Sequence, residues 1–262
     1  MRYSVALFAL LVPLTMADPE PAPVRPTRHL ALFNHRDLDG WTVWLHDHHH
    51  DDPSRVFSVV DGAIRVSGEE WGGITTAGAY RDYRLVVEWK WGGATWGERK
   101  ARARDSGILV HGVGADGAAS GNWLESIESQ VIEGGAGDYI VVAGAGHPSV
   151  KAHARIDGDE TYWDTAGDIR TIAEGRLNWF GRDPQWKDQL GFRGRRDVER
   201  PTGEWNQQEI VADGDRLTTR LNGVTVNEAF EASHRAGRIQ LQSEGAEIII
   251  RNVDLYPLKT AR

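Results

Sequence analysis

From His29 onward, apolar and polar residues alternate in short runs broken by Gly, Asp and Asn, and no long stretch repeats with a helical period. "FSVVDGAIRVSG" places two alternating runs around Asp61-Gly62, the signature of a type I′ hairpin. "YRLVVEWKW", "SGILVHG", "ESIESQVI" and "DYIVVAG" read as further strands. Asp213-Gly214 and Asn222-Gly223 mark two more hairpins before "GRIQLQSEGAEIIIRNVDLYPL". Evenly spaced strands joined by tight turns predict an all-β fold, a two-sheet antiparallel sandwich. No internal repeat is visible. The segment from about Lys151 to Gly203 is rich in Gly, Asp and Arg and reads as long loops decorating one end.

Residues two apart in a strand share a face. In "LVVEWKW", Glu88 and Lys90 lie with Val86, opposite Val87, Trp89 and Trp91. In "DSGILVH", His111 lies with Gly107 and Leu109, opposite Ile108 and Val110. In "SIESQVI", Ser126, Glu128 and Gln130 oppose Ile127 and Val131. In "IQLQSEG", Gln240 and Gln242 oppose Leu241, with Glu244 near the strand end. Any one such strand is an ordinary solvated face. The recurrence of Gln and His with Glu across the set instead predicts a shared polar floor.

The chain carries 11 tryptophans, Trp71 and Trp123 among those in or beside expected loops. Indole faces fill cores, but they also stack on the C–H faces of sugar rings. A polar floor with an aromatic rim therefore points to a carbohydrate partner.

Composition narrows the classes. The 262 residues, 40% hydrophobic and 26% charged, suit one large β domain or two small ones. A net charge of -8 argues against a nucleic-acid partner held by phosphate contacts. There are no cysteines, so disulfides and thiolate metal sites are excluded. Residues 1–17, with Arg2, the apolar run from Val5 to Leu14, and Ala17, have the pattern of a signal peptide. The run is shorter than the roughly 20 residues needed to span a bilayer. Export to a periplasm or outside the cell is expected, without stable membrane insertion after cleavage. Residues 18–28 form a Pro-rich leader, and 29–262 the domain.

"LFNHRDLDGWTVW" resembles the opening block of the 3-keto-disaccharide hydrolase family. "GGITTAGAYRDYRLVVEWKWG", "RDSGILVHGVG", "SIESQVIEGGAGDYIVV", "WKDQLGFRGRRDVERPTGEWN", "LNGVTVNEAF" and "IQLQSEGAEIIIRNVDLYPL" resemble its later blocks in order, over about Leu30 to Leu258. The resemblance implies a concanavalin A-like jelly roll and activity on glycosides oxidised to a ketone at carbon 3. Where the family has a mixed loop, this chain has "HDHHHDDP", His46 to Pro53. Such a tract can bind transition metals or be an exposed, variable loop.

A ketone at carbon 3 acidifies the hydrogen on carbon 2, so the aglycone on carbon 1 can leave by elimination and water can then add back. This route needs a base, an enolate stabiliser and an acid. The candidates are Glu128 and His111 as base or acid, with Glu88 and Glu244 as further carboxylates. Lys90 and Arg251 would face the enolate, Gln130 and Gln242 the hydroxyls, and Trp71 and Trp123 the sugar faces. Arg104 and Asp105 either touch substrate or pair with each other at a strand start. A divalent ion on His111 and Glu128 would be an alternative Lewis acid. Two other readings stay open. One is a lectin-like sugar-binding module. The other is a retaining glucanase, since Glu128-x-Gln130-x-x-Glu133 is similar to the Glu-x-Asp-x-x-Glu strand of such enzymes, although Gln130 cannot ionise. No phosphate-binding Gly-Lys-Ser/Thr or Gly-x-Ser-x-Gly elbow is present.

Overall fold

The computed structural model describes residues 20–258, so the signal-like segment falls outside the described residues. Strands in chain order are β1 (Leu30–Ala31), β2 (Trp41–Leu45), β3 (Phe57–Val60), β4 (Ala63–Val66), β5 (Gly72–Thr76), β6 (Tyr83–Thr95), β7 (Asp105–Val113), β8 (Glu125–Ile132) and β9 (Tyr139–Val142). They continue with β10 (Val150–Asp157), β11 (Glu160–Trp163), β12 (Asp168–Ile172), β13 (Gly175–Leu177), β14 (Asn206–Asp213), β15 (Arg216–Leu221), β16 (Val224–Ala229), β17 (Arg238–Ser243) and β18 (Ala246–Pro257). Among the described residues, one short 3-10 turn, Gly97–Lys100, is the only helical element.

Two antiparallel sheets face each other as a jelly-roll sandwich. One runs β16-β15-β14-β6-β18-β4-β3, with β1 added against β18; the other runs β13-β9-β8-β7-β17-β5-β2. The alternation read from sequence is what closes them. Val87, Trp89 and Trp91 of the first sheet and Ile108, Val110, Ile127, Val131 and Leu241 of the second meet in one buried core. A polar seam crosses this core behind β8. Gln208 Nε2 donates to Ser129 Oγ at 2.8 Å, and Thr219 donates to the Tyr139 hydroxyl at 3.0 Å. Ser129 lies between Glu128 and Gln130 on the inward face, so the seam fixes the strand that turns those two outward. Each buried polar atom in it that finds a partner avoids the cost of an orphaned group.

The expected loop region is partly regular. β10, β11 and β12 form a small third sheet, and β13 joins the second sheet beside β9. β10, "VKAHARID", carries only Val and Ile as β-branched residues, whereas its neighbours "ETYW" and "DIRTI" are made largely of strand-favouring ones. Beyond β13 the chain does run as long loops until β14. The described part of the leader is pinned to the domain: Val24 N–H donates to the Ala79 carbonyl at 2.8 Å.

Candidate active site

Strands β7, β8 and β17 lie side by side at the centre of the second sheet, and their outward faces line a cavity of about 640 Å³. Their register runs unbroken from Asp105 opposite Ile132 to Val110 opposite Ile127, which puts Glu128 and Gln130 on the outward face and sends Glu133 elsewhere. Asp105, Glu128, Gln130, Gln242, Glu244 and Trp123 all line the cavity.

Gly107 is the pivot of this floor. A Cβ there would collide with Glu128 Oε1 and Gln242 Oε1, which lean over the glycine from the two flanking strands. Glu128 Oε1 and both polar atoms of Gln242 are buried with no protein partner beyond one another. Native interiors seldom leave such groups unsatisfied, and where they do a ligand is a common reason.

Arg99 lines the cavity beside Asp105. Its guanidinium bonds the Asp105 carboxylate and reaches Glu244 Oε1 at 3.0 Å. Burial pushes the Asp105 carboxyl well above its usual range, with the Glu244 charge adding and Arg99 opposing. Burial, helped by the Glu128 charge, carries Glu244 up to about 7. Burial alone is the main cause at Glu128, raised to about 8. Neighbouring Asp105 raises it further, while Arg176 pulls it down. Glu128 and Glu244 thus hold protons into the neutral range, and Asp105 beside them is raised in the same direction, as at sites for proton transfer. Arg176 also lines the cavity and donates to Asp138 Oδ2 at 2.7 Å.

Several expected residues lie elsewhere. β7 carries one extra residue against both neighbours between Val110 and Val113, and His111 takes it up with φ of 56°. The bulge turns its ring off the floor. His111 packs edge-on to Tyr83 at 5.7 Å, and its Nδ1 lies 2.9 Å from the His234 carbonyl. Burial lowers its pKa to about 4. His111 and Glu128 therefore do not form a metal-binding pair. Among the described residues no group of three or more His, Asp and Glu stands placed to hold an ion. The His46–His50 tract is tied to neighbouring segments: His48 to Glu70 at 2.7 Å, His46 to Asn122 at 2.7 Å.

Glu88, Lys90 and Arg251 belong to the first sheet and face outward on the opposite side of the sandwich. A bulge between Ile250 and Asn252 brings Arg251 Nε to Glu88 at 2.8 Å, with Asn252 on the same oxygen. Lys90 and Arg251 both lie over Trp205, at 4.9 and 4.4 Å from the ring centre. Alternation identified their faces correctly but not which sheet each strand would join. Arg104 is occupied by Glu133, at 2.5 Å, and Gly191 N–H also donates to Glu133 at 2.8 Å. Glu133 therefore supplies no second carboxyl beside Glu128 of the glucanase kind. Trp71 does not line the cavity but stacks on Trp123 at 5.7 Å, backing the rim.

Arg99, Arg176 and Asp138 escaped sequence reasoning. Arg99 sits in the basic run "ERKARARD", which reads as a solvated loop, and Arg176 in the three-residue β13. The one signal was the density of arginine near Asp105, since a buried guanidinium needs a carboxylate.

Two crystal structures from Parabacteroides distasonis, described as candidate glycosyl hydrolases, share this fold. One is 18% identical with a TM-score of 0.52, covering 88% of this chain and 94% of its own. The other is 16% identical with a TM-score of 0.50, covering 88% and 100%. No curated relative matches the sequence. The model of the 3-keto-alpha-glucoside-1,2-lyase-like domain matches residues 29–255, nearly all of the described chain, and the protein belongs to that family.

Proposed function

We propose that the protein releases the aglycone of 3-keto-glycosides by elimination across carbons 1 and 2 followed by hydration, with the chemistry in the Glu128 cavity. The observation that carries this reading is that Glu128 Oε1 and the two polar atoms of Gln242, buried over Gly107, have no protein partner beyond one another and open onto the cavity. The cavity has the volume of small-ligand sites, and its lining offers both proton-transfer groups and hydroxyl partners. Family membership and the glycosyl-hydrolase-like fold support a carbohydrate-active enzyme.

In this reading the Glu128 carboxylate takes the proton from carbon 2, and electrons move to the carbon 3 oxygen. Arg176, close enough to feel the charges of Glu128 and Asp105, stabilises that enolate. As the enolate collapses, the bond from carbon 1 to the aglycone oxygen breaks, and Glu244 protonates the leaving oxygen. Burial and the neighbouring carboxylate charge keep a proton on Glu244 up to about 7 against the pull of Arg99, which bridges it to Asp105. Water then adds at carbon 1 and carbon 2 regains a proton, giving net hydrolysis. Gln130 and Gln242 orient hydroxyls, and Trp123 takes the sugar face.

Turnover of a chromogenic 3-keto-glucoside in heavy water, quenched early, tests it. Aglycone release with one deuterium at carbon 2 is expected, and Glu128→Gln should slow it by roughly 10²–10⁴-fold. Release without deuterium would mean direct hydrolysis. Binding without release would leave a lectin-like module.

A further inference from the structure

The small third sheet and the loop after β13 enclose three cavities that join end to end. One of about 410 Å³ includes Arg155, Phe180, Arg195 and Arg196 in its lining. The next, about 330 Å³, shares Arg155, Phe180 and Arg196 with it. The third, about 340 Å³, shares Trp163 and Thr165 with the second and ends at Arg216 and Phe230. Together they make a groove that shares no lining residue with the Glu128 cavity.

Its chemistry is the reverse of the protein's average. The chain carries -8, yet the groove gathers five arginines against three carboxylates, Asp164, Asp183 and Glu228. Arg182 is committed to Asp138, and Arg155 lies over Tyr162 and near Asp164. Arg195, Arg196 and Arg216 are exposed and, among the described residues, have no carboxylate within salt-bridge distance. Aromatic surface is interleaved with them. Phe180 is 38% exposed, half-buried Phe230 has Arg216 over its ring at 5.5 Å, and Trp163, itself buried, borders two of the cavities from below.

We propose that this groove binds a stretch of acidic glycan, a chain of carboxylate-bearing sugars, whose rings rest on Phe180 and the half-buried Phe230 while Arg195, Arg196 and Arg216 take the carboxylates. Guanidinium forks suit planar carboxylates, and exposed aromatic faces suit pyranose rings. Charge alone would fit any polyanion, but spaced rings between the charges fit a saccharide. The groove borders the Glu128 cavity through one contact: Arg182 lines the first cavity and lies over Trp186 at 4.1 Å, and Trp186 lines the other. An acidic glycan held here would anchor the enzyme beside its small substrate. The identification of the ligand as a glycan rests on the carbohydrate reading above, while its charge rests on the groove alone.

Calorimetry on the full chain with a hexameric oligogalacturonate, and cellohexaose as the uncharged counterpart, tests this. Arg195→Ala with Arg196→Ala should weaken oligogalacturonate binding by about tenfold or more, with a fall as salt rises, and leave cellohexaose unchanged. Phe180→Ser should weaken it as well, and Glu128→Gln should not. Equal binding by wild type and the double arginine variant would overturn the proposal. So would inorganic polyphosphate binding as tightly, which would mark a general anion surface. Loss with Glu128→Gln alone would move the ligand into the other cavity and also overturn it. Turnover of a 3-keto-glucoside by Glu128→Gln reads the catalytic proposal independently.

Discussion

Arg176 and Arg182 hold the same oxygen of Asp138, Oδ2, one from the cavity side and one from the groove side. Asp138 is fully buried, and its other oxygen accepts the Trp179 N–H at 2.7 Å. One carboxylate therefore fixes the cation proposed to meet the enolate and the cation at the mouth of the acidic-glycan groove.

Asp138→Asn should be among the most damaging single substitutions. It leaves two guanidinia, both largely shielded from water, without their counter-charge, a defect that costs about 3–5 kcal/mol. Urea unfolding should show the loss in the midpoint, and turnover should fall further than stability alone explains, because Arg176 is no longer held.

Gly107→Ala should fold and fail. Its backbone is compatible with alanine, and the atoms its Cβ would strike are the far ends of Glu128 and Gln242. Those ends can swing away, so thermal unfolding should move little. Displacing the base by an ångström should nonetheless cost about 10²-fold in kcat.

Glu128 links activity and stability to pH in opposite senses. Burial raises it to about 8, far above the ordinary carboxylate value. Between about pH 4.5 and 8 the folded state holds a proton that the unfolded state has lost, so stability declines as pH rises through that window. Turnover should rise as the base ionises and fall again as Glu244, raised to about 7, loses the proton it gives the leaving oxygen, so the profile is a bell centred between about 7 and 8. Glu128→Gln removes the buried charge and should gain about 2–4 kcal/mol over wild type near pH 9, read from denaturation midpoints.

His111→Ala should leave kcat within about threefold of wild type and lower stability by about 1–3 kcal/mol, since a buried ring is lost. Lys90→Ala and Arg251→Ala should leave both kcat and KM unchanged, because their side chains lie across the sandwich from the cavity. A hundredfold loss of turnover in any of the three would place the chemistry elsewhere.

The fold was legible because strand alternation is a local signal: Val87, Trp89, Ile127 and Val131 declare their inward face by neighbours two residues away. The site was legible only where a whole strand kept that rhythm, as from Asp105 to Leu109 and from Glu128 to Gln130. At His111 one inserted residue with positive φ broke it, and nothing in "ILVHGVG" announces an insertion. Glu88 and Lys90 show a different limit. Their face was right, but which sheet β6 joins depends on pairing with β14 and β18, more than a hundred residues away. Arg99, Arg176 and Asp138 act through partners brought together by the same distant pairing.

The reverse face of the sandwich has a consequence of its own. A broad sheet surface presented to water invites a second copy to lie flat against it, and apolar residues there would reward the stacking. The lattice of Glu88, Arg251, Asn252 and Lys90 around Trp205 instead keeps its charges hydrated at the rim and its hydrogen bonds spent among themselves. Any neighbour would have to strip that water and offer nothing in return. Crowded solutions should therefore leave this side bare, with the Glu128 cavity opposite still open.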